Sequence, residues 1–139
     1  MRALLVLSIF ICLALYPLET MSESDVICCT WLNTQYGSGN PPQKITFHYD
    51  GTYATYSARG SADALKRGVY QIVAKWTDAE GSAWYKIMMH DPKQGKRYKL
   101  ARVSSDGKKL EFVCKSDKYP DAINSDDAGY CNYLRAAVD

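Results

Sequence analysis

The sequence carries little net charge, few histidines and few helix-forming runs. Seventeen Lys and Arg residues against fifteen Asp and Glu residues leave a formal net charge of +2 in 139 residues, which is too small to indicate a nucleic-acid partner. The two histidines do not lie near cysteines in sequence, and no Cys-x-x-Cys pair occurs, so we expect neither a structural zinc site nor another cofactor. Because helix-forming runs are scarce, a helical bundle is excluded. The length suits one domain with a substantial core.

The first twenty residues have the composition of an export signal. A basic residue follows the initiator methionine, and residues 3–15 are almost wholly apolar, which is too short for a membrane-spanning helix but suits a signal-peptide core. Cleavage after Ser22 would remove residues 1–22 as a signal peptide. Residues 23–139 would then form the folded domain, secreted or periplasmic, with no membrane span. An uncleaved anchor and a cytosolic start at Met21 are the alternatives.

Turn signals divide the rest of the chain into strands. Asp50-Gly51 and Asp106-Gly107 each lie between two segments rich in β-branched and aromatic residues, and Asp-Gly is a strong signal for a β-hairpin. Two more turns occur at residues 78–81 and 91–95. Together the turns predict eight strands, none with an internal proline, near residues 27–34, 44–49, 52–57, 68–77, 83–90, 96–103, 108–114 and 130–137.

The connections between these strands alternate in length. Those after the second, fourth and sixth strands are short glycine turns, whereas those after the first, third and seventh are long and the one after the fifth is intermediate. In an up-and-down arrangement alternate connections fall at the same end, so one end is shut by tight turns and the other is open. The sequence therefore predicts an all-β fold, an eight-stranded antiparallel up-and-down barrel, whose interior is filled by side chains or holds one small ligand.

Four cysteines follow the predicted signal, at positions 28, 29, 114 and 131. An even number in an exported chain indicates up to two disulfides, with three pairings open in principle. Cys114 ends the seventh predicted strand and Cys131 begins the eighth, so both fall at the open end, and we expect them to form a disulfide worth about 3 kcal/mol. Cys28 and Cys29 begin the first strand at the opposite end, where they would be free or join two chains.

Four short segments share a pattern with a known family. They are Cys29-Thr30-Trp31, Phe47–Tyr53, Gly68–Ile72 and Trp84–Ile87. In this order they resemble the Gly-x-Trp motif (with Cys in place of Gly), the first hairpin and the central strands of lipocalin-like (calycin) proteins, especially short bacterial members. The resemblance implies a barrel that carries small apolar molecules, a fold that has also produced inhibitors and enzymes. It further implies that Trp31 plugs the closed end and stacks against Arg135 near the last strand.

Aromatic residues are spread over the second to sixth predicted strands, and alternation sends roughly half of them inward. The first hairpin decides part of this choice: a two-residue Asp-Gly loop pairs Phe47 with Ala54, whereas a three-residue loop with a bulged glycine pairs it with Tyr53. Filling of the barrel by its own aromatic side chains is the alternative to a ligand cavity. By strand parity, we expect the ligand-binding residues inside the barrel to be Tyr56, Tyr70, Trp84, Tyr98 and Arg102.

A basic run starts at the predicted mouth. It either attracts an anionic group or an acidic partner, or it forms a solvated edge that discourages aggregation. Arg102 shares strand parity with Tyr98 and Leu100, so we expect it to point inward with a ligand carboxylate as its counter-charge. The run consists of Lys93, Lys96, Arg97, Lys99 and Arg102.

No arrangement of residues indicates catalysis. The segment Tyr36-Gly37-Ser38-Gly39-Asn40 is not a Gly-x-Ser-x-Gly elbow, and His48 and His90 lie on different strands with no acid placed near them by spacing. We therefore expect a protein that binds a small hydrophobic molecule and is not an enzyme. The alternative is a secreted protein-binding module of the inhibitor or adhesion type, acting through the open-end loops, with contact residues Tyr36, Asn40, Pro41, Lys93 and Tyr119.

Overall fold

The computed structural model describes residues 25–34, 42–58 and 64–137. Within these ranges the chain forms eight β-strands and no helix, which confirms the predicted all-β class. The strands are β1 (Thr30–Asn33), β2 (Lys44–Phe47), β3 (Thr52–Tyr56), β4 (Lys66–Thr77), β5 (Ala83–Asp91), β6 (Gly95–Val103), β7 (Lys109–Lys115) and β8 (Tyr130–Arg135).

The eight strands close into an antiparallel up-and-down barrel, as predicted. Each strand pairs with its neighbours in sequence, and β1 completes the circle by pairing with β8 through Trp31 with Arg135 and Asn33 with Tyr133. Beside this seam, the backbone N–H of Ala136 donates to the carbonyl of Thr30 at 2.9 Å. Closure pairs the two edge strands with each other, so the barrel needs no separate protection of these edges.

The two ends of the barrel differ in their connections. At one end, which we call the closed end, tight turns join β2 to β3, β4 to β5 and β6 to β7. In these turns Gly51, Gly81 and Gly107 have positive φ angles of 88°, 86° and 75°, a conformation that glycine adopts without a steric penalty. The connections after β1, β3, β5 and β7 lie at the opposite end, which we call the open end.

The first hairpin uses the three-residue loop. The N–H of His48 donates to the carbonyl of Thr52 at 2.9 Å, and the N–H of Gly51 donates to the carbonyl of His48 at 3.2 Å. As a result Phe47 pairs with Tyr53, so the register with the bulged glycine is the one present. Both side chains face inward, and they are only 1% and 3% exposed.

The closed half of the barrel is filled by its own side chains. Trp31 is fully buried, and its indole N–H donates to the carbonyl of Ile27 at 3.0 Å. It belongs to one buried cluster with Phe47, Ile87 and Leu110, among others. This placement agrees with Trp31 as the plug of the closed end, while its stacking on Arg135 stays a prediction.

Some predictions fall outside the described residues. These are the signal peptide, residues 1–22, and the loop residues Tyr36, Asn40 and Pro41. In the part of the chain that the structure describes, no helix is long and apolar enough to cross a membrane.

Candidate ligand-binding cavity

A cavity of about 780 Å³ lies in the open half of the barrel. Inner-face side chains form its walls, and residues of the open-end connections, such as Pro42, Leu65 and Ala128, form its rim. The barrel is therefore filled at the closed end and hollow at the open end. The apolar and aromatic side chains of the wall include Ile45, Tyr53, Met89, Phe112 and Tyr133.

Strand β6 carries two basic residues on its inner face. The register pairs Arg97 with Met89, and Lys99 with both Ile87 and Cys114. Arg97 and Lys99 both line the cavity, and Lys99 is only 4% exposed. Because β6 runs from the open end to the closed end, Arg97 lies nearer the mouth and Lys99 lies deeper.

The ammonium group of Lys99 lies over aromatic rings. Its Nζ is 3.7 Å from the ring centroid of Phe112 and 5.6 Å from that of Phe47, distances at which a cation is attracted to a ring face. Burial lowers the pKa of Lys99 below its ordinary value; the nearby thiols of Cys114 and Cys131 oppose this shift, and the charge of Arg97 adds to it. Among the described residues, no carboxylate lies within ion-pair distance of this ammonium.

The rim of the cavity contains a separate ion pair between Lys66 of β4 and Asp91 of β5. The Asp91 carboxylate also accepts the backbone N–H groups of Lys93 and Gln94, at 2.7 and 2.9 Å. Burial alone would raise the pKa of Asp91, but these hydrogen bonds and the Lys66 charge outweigh it and hold the pKa at about 2. Asp91 therefore stays ionised, with its charge matched at the rim.

Cys114 and Cys131 both line the cavity, and both are free thiols. Their expected position at the open end is right, but the expected disulfide is not formed. Cys131 pairs with Phe112, while the N–H of Cys114 donates to the carbonyl of Gly129 at 3.2 Å. The two cysteines are thus diagonal neighbours, and such neighbours lie about 7–8 Å apart, beyond the reach of a disulfide without backbone movement.

None of the five residues expected to bind the ligand lines the cavity. Tyr70 does point inward and is buried, but it belongs to the filled half: its hydroxyl donates to the carbonyl of His48 at 2.6 Å and lies 3.2 Å from the Cys28 sulfur. Burial raises the pKa of Tyr70. Tyr56 pairs with Lys44, whose ammonium lies 4.2 Å from the centre of its ring, on the outer face of the sheet.

The expectation that Trp84, Tyr98 and Arg102 point into the barrel is wrong. All three alternate with inner-face residues and lie on the outer face, where the ring of Tyr98 packs edge-on against Tyr119 at 5.0 Å. The β7–β8 connection, which contains Tyr119, thus covers this part of β6 from outside. Because β6 is covered on both faces there, both faces carry apolar side chains, and the sequence pattern could not distinguish the inner face from the outer one.

The outer face instead carries a row of side chains that we call the outer ladder: Trp76, Trp84, Arg102 and Glu111. The two indole rings stack at 5.9 Å, nearly parallel at 10°, and the Arg102 guanidinium lies 5.1 Å from the Trp84 ring. Arg102 donates to Glu111 at 2.8 Å. Its counter-charge is therefore in this chain. A second cavity, of about 470 Å³, lies beside Trp76 and Trp84.

Among the cavity residues that sequence reasoning missed are Arg97 and Lys99. Both belong to the basic run. They would have been found if the odd-numbered residues of β6, rather than the even-numbered ones that include Arg102, had been placed on the inner face. Among the described residues, no group of three or more His, Cys, Asp or Glu side chains is placed to hold a metal ion. No protein-family model, no curated protein and no solved structure matches the chain.

Proposed function

We propose that this protein is an exported, lipocalin-like binding protein that holds a small, largely apolar molecule in the open half of its barrel. The observation that carries the proposal is the cavity of about 780 Å³ with one open end. Ligand pockets are typically about 300–1,000 Å³ and mostly apolar, with a few polar groups. An eight-stranded barrel has room for one small ligand.

The walls of the cavity suit a ligand with substantial apolar surface. Ile45, Tyr53, Met89 and Phe112 offer apolar or aromatic contact area, and burial of such area is the main favourable contribution to small-ligand binding. Tyr53 is held inward by its pairing with Phe47. These contacts require no movement of the strands, since the cavity already exists in the barrel.

We propose binding without chemical turnover. The nucleophile candidates in the cavity include two thiols, and burial raises the pKa of Cys131, which keeps it in the less reactive thiol form. The Cys131 thiol is therefore poorly suited to attacking a bound molecule.

Native mass spectrometry of the purified full chain, before and after solvent extraction, tests the proposal. We expect a small-molecule adduct that extraction removes and that returns when the extract is added back. Met89 lines the cavity, whereas Met88, its neighbour on β5, points to the outer face. Met89→Trp should weaken the adduct because its larger ring occupies part of the cavity and replaces a flexible wall residue, and Met88→Trp should keep it.

Circular dichroism of both variants establishes that the barrel is intact. No adduct in the unextracted wild type and none after the extract is added back, or an adduct that Met89→Trp and Met88→Trp retain equally, would contradict the proposed function.

A further inference from the structure

We infer that the bound molecule carries a carboxylate, and that this carboxylate lies inside the barrel against Lys99 and Arg97. This inference rests on the proposed function, because it specifies the ligand of the same cavity. It concerns the orientation of the ligand as well as its class: the charged group enters first, and the apolar part lies between Lys99 and the mouth.

The first support is position. Arg97 and Lys99 are successive inner-face residues of β6 and both line the cavity. Residues two apart on a strand are separated by about 6.6 Å, so a guanidinium and an ammonium at this spacing can contact one carboxylate between them. No other strand presents two basic residues to the cavity among the described residues.

The second support is the missing counter-charge. The described residues that line the cavity include three basic side chains, Lys66, Arg97 and Lys99, but a single carboxylate, that of Asp91. Asp91 is matched with Lys66 and with two backbone N–H groups. The described lining therefore has a surplus of two positive charges, and a buried cation without a partner is unfavourable.

The third support is the surroundings of Lys99. The Phe112 ring attracts the Lys99 ammonium but only partly compensates for its lost hydration. Burial raises the pKa of Cys131, which favours the uncharged thiol. An entering anion would complete the pairing. A carboxylate can direct one oxygen to each of the two cationic side chains, and its single charge is easier to desolvate in this buried site than the two charges of a phosphate monoester.

A charge series of ligands with one chain length tests the inference on the solvent-extracted full chain. The probes are decanoate, decanol, decylamine and decyl phosphate, and the measurement is calorimetric titration at pH 7. We expect decanoate to bind at least about tenfold more tightly than decanol, and decylamine to bind most weakly. Both differences should shrink little with added salt, because the site is buried.

Two substitutions locate the carboxylate. Lys99→Met should weaken decanoate binding at least about tenfold and change decanol binding by less than about threefold, and Arg97→Met should act in the same sense. Lys96→Met is the matched control: Lys96 lies on the same strand but is exposed, so this variant should bind all probes as the wild type does.

The outcomes separate this inference from the proposed function. Equal binding of decanol and decanoate, or decanoate binding that neither Lys99→Met nor Arg97→Met weakens, would overturn the carboxylate site and leave a barrel that binds apolar molecules. Tighter binding of decyl phosphate than of decanoate would overturn the carboxylate assignment. Binding of none of the four probes would overturn the carboxylate site together with the proposed function.

Discussion

Strand β6 places a cation on an aromatic ring on each of its faces. Inside, the Lys99 ammonium lies 3.7 Å from the centre of the Phe112 ring; outside, the Arg102 guanidinium lies 5.1 Å from the Trp84 ring. Arg102 is also paired with Glu111 at 2.8 Å, whereas Lys99 has no carboxylate among the described residues. The outer cation has its counter-charge in Glu111, whereas the inner cation has no counter-charge in the described part of the chain.

The difference separates a charge that stabilises the barrel from a charge that we propose binds the ligand. The Glu111 carboxylate also accepts a hydrogen bond from Tyr130, so the outer cation is part of a network that joins β6, β7 and β8. A charge kept in the interior without such partners lowers stability, and sites of this kind are retained where they serve binding. The four predictions below test this contrast.

Removing the ring beneath the inner cation should have the largest effect. Phe112 is 4% exposed and stacks on Tyr133 with ring centroids 5.5 Å apart. Phe112→Ala should lower the free energy of unfolding by about 3–5 kcal/mol, because it deletes buried apolar contacts and leaves a larger void. Urea denaturation followed by fluorescence measures this; a loss below about 1 kcal/mol would mean that the cavity wall collapses around the missing ring.

Neutralising the inner cation should stabilise the protein. Lys99→Met should raise the free energy of unfolding by about 1–2 kcal/mol, since an apolar side chain of similar length has no charge to desolvate. Burial lowers the Lys99 pKa from its ordinary 10.5, so the unfolded chain binds more protons between the folded pKa and 10.5, and wild-type stability rises with pH there. The gain should therefore shrink as pH rises through this window.

Urea melts at several pH values measure that gain. Arg102→Met is the comparison on the outer face, and it should be destabilising. If both variants move stability in the same direction, the contrast between the two cations is wrong.

Neutralising the outer carboxylate should be moderately destabilising. Glu111→Gln should cost about 1–2 kcal/mol, because it weakens charge-assisted hydrogen bonds from Arg102 and Tyr130. Burial raises the pKa of Glu111, but those hydrogen bonds and the Arg102 charge outweigh it and place the pKa below its ordinary 4.5. The stability from Glu111 is thus present above pH 4.5 and lost as pH falls through the lower folded value.

Thermal melts between pH 3 and pH 7 check this pH dependence. The wild type should lose more stability than Glu111→Gln does on acidification. Parallel acid profiles for the two proteins would show that Glu111 does not contribute.

Removing the indole ring of Trp76, the most exposed aromatic side chain of the outer ladder, should have the smallest effect. Trp76 is 42% exposed, and its stack on Trp84 is worth about 0.5–1.5 kcal/mol. Trp76→Ala should therefore lower stability by about this amount and leave ligand binding in the cavity unchanged. Calorimetric titration with decanoate provides the second measurement, and a loss of binding would place the ligand at the outer ladder instead of the cavity.

Much of the fold could be predicted from local chemistry. Asp50-Gly51 and Asp106-Gly107 set hairpins within a few residues of chain, and the alternation of short and long connections follows from where those hairpins lie. The closed barrel, its strand order and its two unlike ends therefore required only short-range signals. Such signals act before any tertiary contact and are readable in one sequence.

The cavity residues could not be assigned from the sequence in the same way. Alternation marks an inner face only when the other face is polar, and the outer face of β6 carries Tyr98 and the 3% exposed Leu100. The cover provided by Tyr119 comes from a connection that joins β7 to β8, far away along the chain. Whether Phe47 pairs with Tyr53 or with Ala54 depended on one additional loop residue, which shifts the register of the first hairpin.

The β1–β8 seam determines the end of the barrel at which the chain enters and leaves the domain. Asp25 contacts Lys75 near the β4–β5 turn, and Ala136 donates to Thr30 beside the same end, so both limits of the barrel domain lie at the closed end. A tether, a fusion partner or a surface linked to either limit would therefore face away from the mouth. Immobilisation through either limit would leave the mouth of the cavity pointing into solution and unobstructed.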